Sequence, residues 1–348
     1  TLSVLAGLAQ TFGRQRLHAN GTLRNDKFSE NSILDNTGYQ LDAGLDWETV
    51  HRLSGTLAVK SDRQLIKFGT FDRPTGNRNL VRNTQVDADA KLGSNTPLVF
   101  SVEGRYRSRN YSDPSYDNRD QNQTTFGVGA KYSPRGRNYV GLKLRDTNGK
   151  YPHYTVPGTE IDGDHLDRQD VDLTGFVEFS QLSTLFARLS YSKIDYKVQD
   201  RLNFSGLTGL VKASWQATGK IRLSGQFARD RSEDLNFELD PFGTQVEAAR
   251  LATIARATAD YQFSAKLAFS ANAGYMRRSL AVVNDIFGIN EGGNERTNDY
   301  GFGAKWTPTR TSLVGCDYSH ERRRSNLVER LNVSGNAFSC YAQLTVQP

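Results

Sequence analysis

The sequence predicts an all-β fold, a transmembrane antiparallel up-and-down β-barrel. Three observations carry this prediction: apolar and polar residues alternate along many short segments, aromatic residues gather at one end of these segments, and short connections alternate with long ones. Alternation with a period of two is typical of strands, and the other two features are typical of bacterial outer-membrane barrels. We expect one such domain over residues 1–348, located in the bacterial outer membrane.

The composition is compatible with this fold class. The mean hydropathy is −0.60 and 37% of the residues are hydrophobic. No stretch approaches the roughly 18 apolar residues that a membrane-spanning helix requires. Because a barrel around a water-filled interior needs apolar residues only at alternate strand positions, it tolerates a polar composition.

The alternation is regular enough to assign strands. Residues 41–47 place leucine, alanine and tryptophan at odd positions and aspartate or glycine at even ones, and residues 98–107 set aliphatic and aromatic residues against charged ones. A soluble β-sandwich would also alternate. Charges on one face of nearly every segment, and connections that alternate strictly in length, favour the membrane barrel. All nine prolines fall in the assigned connections or at the C-terminus, as expected for a residue that cannot donate to a strand ladder.

Two classes of connection separate the strands. The short ones, which we expect to face the periplasm, are residues 11–13, 48–51, 93–97, 133–136, 180–183, 217–220, 263–265 and 307–310. The long polar ones, which we expect outside the cell, are roughly residues 26–35, 62–78, 112–121, 146–166, 197–202, 231–243, 279–295 and 322–335.

This assignment gives seventeen strands, the last one at about residues 337–346. Single-chain bacterial barrels normally close with an even number. The first segment, residues 2–10, runs toward a short turn, so we expect a preceding strand and a signal peptide upstream of Thr1. The prediction is therefore a barrel of about eighteen strands, with sixteen as the alternative if the terminal segment folds otherwise.

The three tryptophans mark one boundary of the membrane. Trp47, Trp215 and Trp306 each end an alternating segment just before a short connection. Indole rings favour the layer where hydrocarbon meets water. We therefore expect these residues to form an interface girdle in contact with outer-membrane lipids.

A barrel of sixteen to eighteen strands leaves an aqueous lumen, so a pore is expected. With 44 basic and 38 acidic residues, the net charge is only +6. Such a mixture favours solvation and pairing of charges across the lumen, with a modest bias toward acidic solutes or polymers. The residues predicted to line the lumen or polymer path are Arg105, Arg107, Lys143, Arg145, Arg188, Lys212, Arg222, Asp87 and Asp89.

Several segments resemble EpsL-type barrels of exosortase-associated exopolysaccharide operons. The resemblance extends over nearly the whole chain but lies in strand ends and turns. The segments that carry it are residues 13–17, residues 39–47 followed by 53–55, residues 214–220, and the pair Cys316 and Cys340. The resemblance implies one more strand before residue 2. It also implies an outer-membrane porin that exports an exopolysaccharide, with periplasmic polysaccharide-export components as partners.

The two cysteines predict a disulfide. Cys316 and Cys340 fall in adjacent predicted strands, about equally far from the middle of the connection between them. Directly opposed residues of an antiparallel pair lie about 4.5 to 5.5 Å apart, within reach of a disulfide, and the compartment is oxidising. Two free buried thiols are the alternative.

Signals for catalysis are weak. His165, between Asp164 and Asp167, is the best candidate for a hydrolase acting at the outer rim, although acidic loops of this kind are more often simply solvated. The spacing matches no EF-hand, and no nucleic-acid-binding motif occurs. We expect no enzyme, no cofactor, no metal and no nucleic-acid partner.

Tyrosines near the long connections offer a second signal. Sugar rings stack on aromatic faces, so tyrosines amid asparagine, aspartate and arginine suit a glycan path, although they equally suit ordinary loop packing. The candidates for glycan stacking are Tyr111, Tyr116, Tyr151 and Tyr154. The predicted function is export of an exopolysaccharide through a hydrated lumen. A rim-acting hydrolase and a general diffusion porin are the alternatives.

Overall fold

A computed structural model describes residues 1–50, 52–66, 78–93, 96–134, 137–155, 162–231, 251–284, 289–326 and 332–345. In these residues seventeen strands form one sheet. The strands are Leu2–Phe12 (β1), Gln15–Asp26 (β2), Asn36–Glu48 (β3), Leu53–Leu65 (β4), Leu80–Leu92 (β5), Leu98–Tyr111 (β6), Gln121–Tyr132 (β7), Tyr139–Thr155 (β8), Asp162–Ser180 (β9), Ser183–Tyr196 (β10), Phe204–Gln216 (β11), Ile221–Asp230 (β12), Leu251–Gln262 (β13), Leu267–Asn284 (β14), Ile289–Trp306 (β15), Ser312–Ser325 (β16) and Val333–Leu344 (β17).

Short 3₁₀ helices stand in three of the long connections, at Ser32–Leu34, Pro114–Arg119 and Asp200–Leu202. Among the described residues, no helix has the length and apolar character needed to cross a membrane.

The strands follow an up-and-down order. From β1 to β8 and again from β11 to β17, each strand pairs antiparallel with the next strand in sequence. Tight connections suit this order. Between β1 and β2 the turn is formed by residues 13 and 14, and Gly13 adopts a positive φ of 61° that other residues rarely accept. The predicted all-β, antiparallel up-and-down fold class is confirmed, with the seventeen strands expected within the chain.

Two compact units make up the chain. The first unit contains Thr1–Thr174 and Ser190–Leu207, and the second contains Gly175–Leu189 and Thr208–Pro348. In each unit, the strands have one apolar face and one polar face, as described below.

In the first unit the apolar face is exposed and the polar face is buried. Phe100 and Leu142 are 52% and 53% exposed, whereas Gln121 and Gln123 of the polar face are 4% and 5% exposed. A soluble protein buries its apolar side chains, so this distribution is inverted. It suits a sheet whose outer surface meets hydrocarbon.

The second unit has the same inversion. Phe302 and Phe227 are 59% and 49% exposed, while Asp230, Arg278 and Glu295 are 3% exposed or less. The apolar face of each unit therefore suits contact with lipid. The names apolar face and polar face are kept for these two surfaces.

Two long connections are shorter than the sequence predicts. β8 continues to Thr155 before β9 begins at Asp162, and β14 continues to Asn284 before β15 begins at Ile289. Residues 146–155 and 279–284 are polar or lack strong alternation, so the sequence pattern does not predict them as strand. Backbone pairing in a hairpin does not depend on an apolar face, and the strands therefore extend through them. Pro152 accordingly lies inside β8, contrary to prediction. The described pairing with β7 ends at Lys150, so the missing N–H of Pro152 interrupts no bond of that ladder.

A disulfide joins β16 to β17. Cys316 and Cys340 are directly opposed in the register, with their Cα atoms 4.1 Å apart, and they form the bond expected from the sequence. Both residues lie on the apolar face, because their strand neighbours Gly315 and Tyr341 share the other face. The bond fixes the register of the last hairpin.

Candidate functional site

The polar face is the surface on which chemistry can be concentrated, and the residues predicted to line a lumen all lie on it. Each alternates along its strand with exposed residues of the apolar face. The nine residues are Asp87 and Asp89 of β5, Arg105 and Arg107 of β6, Lys143 and Arg145 of β8, Arg188 of β10, Lys212 of β11 and Arg222 of β12.

A buried cluster of charges occupies the polar face of β8, β9 and β10. Arg168 Nε lies 2.8 and 3.0 Å from the two oxygens of Asp170, and Arg145 Nε lies 2.6 Å from Asp172 Oδ2. Arg145 Nη2 also lies 3.4 Å from Asp170 Oδ2. Ser192 Oγ bonds to Asp170, and both carboxylates are only 2% exposed. Buried ions are tolerated only when paired and hydrogen-bonded, as these are. We call these five residues the central ion cluster.

Arg168, Asp170 and Asp172 were missed by the sequence reasoning. They lie directly after the predicted long connection, where the sequence analysis assigns no lumen residue. The signal was present: even positions from 164 to 172 read Asp, Leu, Arg, Asp, Asp against exposed odd positions.

Paired charges continue across the neighbouring strands. Lys143 Nζ on β8 lies 2.6 Å from Glu103 Oε2 on β6. Glu103 reaches over β7 because its direct partner there is Gly127, where a Cβ would come within 2.8 Å of the Glu103 Cγ. Glycine at this position therefore permits a contact between strands that are not neighbours.

A second group on β5 and β6 is held in the same way. Arg105 pairs directly with the opposed Asp87, and Gln85 Nε2 donates to Asp87 at 2.5 Å. Arg107 Nε donates to Gln85 Oε1 at 3.0 Å, and Lys91 Nζ lies 2.7 Å from Asp89. The described charges of the first unit's polar face are thus largely neutralised in pairs, which favours the pairing interpretation over a strong field of one sign.

In the second unit, a cavity of about 530 Å³ opens on the polar face next to the short connections. Its charged lining consists of Lys220, Arg222 and Lys305 against Asp260 and Asp317, an excess of one positive charge. Gln216 and the ring of Tyr341 complete the groups suited to binding hydroxyls and sugar faces. We call this space the short-turn cavity.

Glycines give the short-turn cavity its depth. A Cβ on Gly303 would lie 2.5 Å from Asp317 Oδ1 and 2.6 Å from Ser270 Oγ, and the Tyr341 ring lies against Gly315. The two glycines leave room for the neighbouring side chains to extend across the sheet. The sequence predicts Arg222 in the lumen path, but it does not predict the cavity itself.

Toward the long connections, the polar face of the second unit becomes closed and partly apolar. Arg278 pairs with Glu295, and both are at most 3% exposed. Arg188 Nη2 lies 3.3 Å from Asp230 Oδ2. Buried apolar residues pack beside these pairs, namely Leu210, Ala228, Ala252 and Ile254, with Phe186 and Met276 against them.

The tyrosines predicted for glycan stacking are packed mainly against protein groups. Tyr151 is 5% exposed, with its ring 6.1 Å from that of Tyr196, and Tyr154 packs against the same apolar cluster. Tyr116 is 8% exposed and lies between Tyr111, at 6.1 Å, and the Arg119 guanidinium, at 5.3 Å. Their described contacts are with protein side chains. Tyr151 and Tyr154 lie in β8, and Tyr111 and Tyr116 lie at the end of β6 and in the connection after it.

The connection between β6 and β7 is anchored by Asp120. Its Oδ1 accepts from the Tyr111 N–H at 2.8 Å, and His153 Nδ1 lies 3.5 Å from its Oδ2. Burial raises the pKa of the Asp120 carboxyl above its ordinary value, while the Tyr111 N–H and His153 partly offset this effect.

The residues considered for a hydrolase do not form a catalytic pair. The Asp164 carboxylate accepts hydrogen bonds from the backbone N–H groups of His165, Val198 and Gln199, at 2.7, 2.9 and 3.2 Å. Asp164 is 1% exposed, whereas His165 and Asp167 are exposed. The carboxylate therefore holds the connection after β10 instead of orienting an imidazole. In the described ranges, no group of three or more potential metal ligands occurs.

The tryptophans lie on the apolar faces beside the short connections. Trp215 and Trp306 are 53% and 52% exposed, and the Trp47 ring lies over Gly55, where a Cβ would come within 2.5 Å of Trp47 Cζ2. This position suits the predicted interface girdle, which stays a prediction.

We expect all three indoles to report the same shallow depth in a bilayer. Single-tryptophan variants, with the other two residues changed to phenylalanine, should be quenched more by lipids brominated near the headgroup than by lipids brominated near the chain end. Fluorescence quenching in reconstituted vesicles measures this. Widely different depths for Trp47, Trp215 and Trp306 would contradict the assignment of the short-connection boundary.

No protein-family model and no curated protein matches the chain. Among solved structures, it is similar to the FpvAI–pyocin S2 complex (TM-score 0.53, 11% identity, 99% of this chain and 59% of that one). It is also similar to the ferric-catecholate import receptor Fiu from E. coli K12 (0.51, 11%, 98% and 68%). A third similar structure is the FrpB iron transporter from Neisseria meningitidis, F5-1 variant (0.54, 11%, 94% and 62%).

The chain spans about three fifths of the length of most of these proteins, 59% of the first and 62% of the third. At 11% identity, the likeness concerns the fold alone. That fold is the antiparallel up-and-down sheet of outer-membrane barrel proteins.

Proposed function

We propose that this chain is an outer-membrane barrel through which a hydrated exopolysaccharide leaves the cell. The observation that carries the proposal is the inverted sheet, with an exposed apolar face and a buried, ion-paired polar face. Such a sheet is stable when hydrocarbon covers one side and water or polar ligand occupies the other. The fold likeness to transport proteins supports a transport role. The resemblance to EpsL-type barrels is the reason for proposing an exopolysaccharide as the transported polymer.

The polar face suits a polymer better than a small ion. Because Asp87 pairs with Arg105 and Glu103 with Lys143, the described surface offers hydrogen bonds without a strong net field. A sugar chain, rich in hydroxyls, can exchange hydrogen bonds along such a surface. A selective ion pore would instead require fixed charge of one sign.

The short-turn cavity is the proposed entry point. Asp260 and Asp317 would accept bonds from sugar hydroxyls, Arg222 and Lys305 would donate to ring and hydroxyl oxygens, and Tyr341 would stack on a sugar face. Movement is passive, with the driving force supplied by polymer synthesis. Periplasmic export components would dock at the short connections, which lie next to this cavity.

We expect deletion of the gene to abolish surface polysaccharide, and wild-type complementation to restore it. The double variant with Tyr341→Ala and Asp317→Asn should restore only a fraction, because it removes the stacking face and one acceptor of the cavity. Surface polymer is measured by carbohydrate assay of washed cells at matched protein level in the outer membrane.

Two control variants and two contrary outcomes complete this test. Asp195→Asn changes an exposed carboxylate distant from the cavity in sequence, and His165→Ala tests the hydrolase; both should complement fully. Loss of polymer from His165→Ala alone would favour a rim-acting hydrolase. Normal polymer in the deletion strain, with growth lost on ferric chelates, would instead indicate import of the kind named for the similar structures.

A further inference from the structure

Four arginines lie at the same height along adjacent strands on the apolar face of the second unit. The register places Arg229, Thr253, Arg277, Arg296 and Arg324 opposite one another in succession across β12 to β16. All four arginines are exposed. We call them the arginine row. Arg322, also exposed, stands on the same face two residues nearer the short connection.

Among the described residues of these strands, no carboxylate shares the face of the arginine row. In the strands β12 to β17, as the structure describes them, the apolar-face positions carry no aspartate or glutamate. The side-chain hydrogen bond described for Arg277 goes to Asn294 Oδ1, at 3.4 Å. Like charges directly opposed on adjacent strands destabilise a sheet, so Arg277, Arg296 and Arg324 impose a cost that an anion would remove.

Exposed charges on the apolar face of the first unit include both signs. Arg63 and Arg82, directly opposed on β4 and β5, form one like-charged pair there. Lys193 Nζ lies 3.1 Å from Asp195 Oδ2, and Asp146 and Asp167 are further exposed carboxylates on that face. Mixed signs of this kind are ordinary for a solvated rim. The arginine row differs from these charges in its length, four arginines at one level, and in having no carboxylate on the same face of its described strands.

The row lies one membrane thickness from the tryptophan boundary. Arg296 and Trp306 are ten residues apart on β15 and share the apolar face. Ten residues rise about 33 Å along a strand, which at a barrel tilt of about 40° gives roughly 25 Å of height, the usual height of the apolar band. Tyr300 and Phe302, both exposed, fill the interval. The arginines therefore stand where lipid headgroups begin on the side opposite Trp306.

We infer that the arginine row binds the phosphate groups of a phosphorylated glycolipid of the outer leaflet, of the lipid A type. Guanidinium groups match phosphate oxygens in a bidentate geometry, and neighbouring strands lie about 4.8 Å apart, so several arginines can share one headgroup. The acyl chains would lie on Tyr275, Tyr300, Phe302 and Phe338 below it. This inference rests on the orientation in the proposed function, not on the identity of the transported polymer.

The test measures how much diphosphoryl lipid A binds to the purified, disulfide-intact protein in a non-ionic detergent. Native mass spectrometry gives the fraction of protein that carries the lipid. We expect the affinity of the variant R277Q/R296Q/R324Q for lipid A to fall by about tenfold or more, because the variant lacks charge-assisted hydrogen bonds to phosphate. The control K150Q/K193Q removes exposed cations from the apolar face of the first unit and should bind as the wild type does. Inorganic phosphate at the same phosphate concentration should not compete, since the acyl chains contribute.

Folding of every variant is checked by heat-modifiable migration in gel electrophoresis. If the triple variant does not fold, the single variant R296Q replaces it, and we expect R296Q to lower the affinity for lipid A about threefold. Wild-type affinity in the folded row variants, or an equal loss in the K150Q/K193Q control, would overturn the inference. Effective competition by inorganic phosphate would show an anion site without lipid specificity and would also overturn it.

Failure of the proposed function would look different. If the wild type binds lipid A through the arginine row while the deletion strain exports polymer normally, the export proposal fails and the lipid site stands. If export depends on the chain but the row variants keep their lipid, only the lipid site fails.

Discussion

Replacing Asp170 with alanine is expected to lower the free energy of unfolding by about 3–5 kcal/mol, the usual effect of removing one partner of a buried ion pair. Asp170 accepts from Arg168 through two oxygens at 2.8 and 3.0 Å and lies 3.4 Å from Arg145. Its loss therefore deprives two buried guanidinium groups of a carboxylate partner. Urea unfolding of the protein refolded into lipid vesicles, followed by tryptophan fluorescence, measures the change.

Asp195→Ala is the matched control. It also breaks a carboxylate–cation pair, with Lys193 at 3.1 Å, but both side chains are more than half exposed. Exposed pairs contribute only about 0.2–1 kcal/mol. Similar losses from Asp170→Ala and Asp195→Ala would mean that the polar face at the central ion cluster is accessible to water and its charges are screened.

Phe302→Arg is expected to destabilise the protein in a bilayer by about 2–4 kcal/mol, the cost of arginine near the middle of the lipid face of a barrel. Phe302 is 59% exposed and lies between Trp306 and the arginine row on β15. The same urea titration in vesicles detects the change, and it also reports whether this face meets hydrocarbon.

Ser319→Arg provides the comparison for Phe302→Arg. Ser319 is exposed on the polar face of β16, opposite Gly301, so the new charge stands at nearly the same height but on the other side of the sheet. We expect a change below about 1 kcal/mol, as for charges in solvated positions. A larger loss at Ser319 than at Phe302 would reverse the assignment of the two faces.

The fold could be predicted because period-two alternation is a local property. Every strand with clear alternation was found, including the segment that ends at Trp47, and the opposed positions of Cys316 and Cys340 followed from counting residues on either side of one connection. Strand ends were less predictable. β8 and β14 extend beyond the alternating residues because hairpin pairing continues without an apolar face.

The candidate site was only partly predictable, for a different physical reason. Alternation gives the face on which Arg105 or Lys143 lies, but not its partner, which depends on register and on glycines in the strands between. Glu103 reaches Lys143 only because Gly127 stands beneath it. The short-turn cavity and the arginine row likewise arise from residues on several strands at one level, and a single segment carries no sign of them.

The disulfide between β16 and β17 bears on the order of assembly. Cys316 lies two residues from Val314, the register partner of Trp306, and with Cys340 it lies on the apolar face. In the proposed barrel this face meets lipid. Thiol oxidation and exchange proceed through a thiolate, and hydrocarbon disfavours that ion strongly. In the proposed outer-membrane barrel, oxidation therefore belongs to the interval between secretion and insertion, when the thiols still meet water. The final hairpin then enters the membrane as a covalently closed unit with its register already set, and the bilayer afterwards shields the bond from soluble reductants.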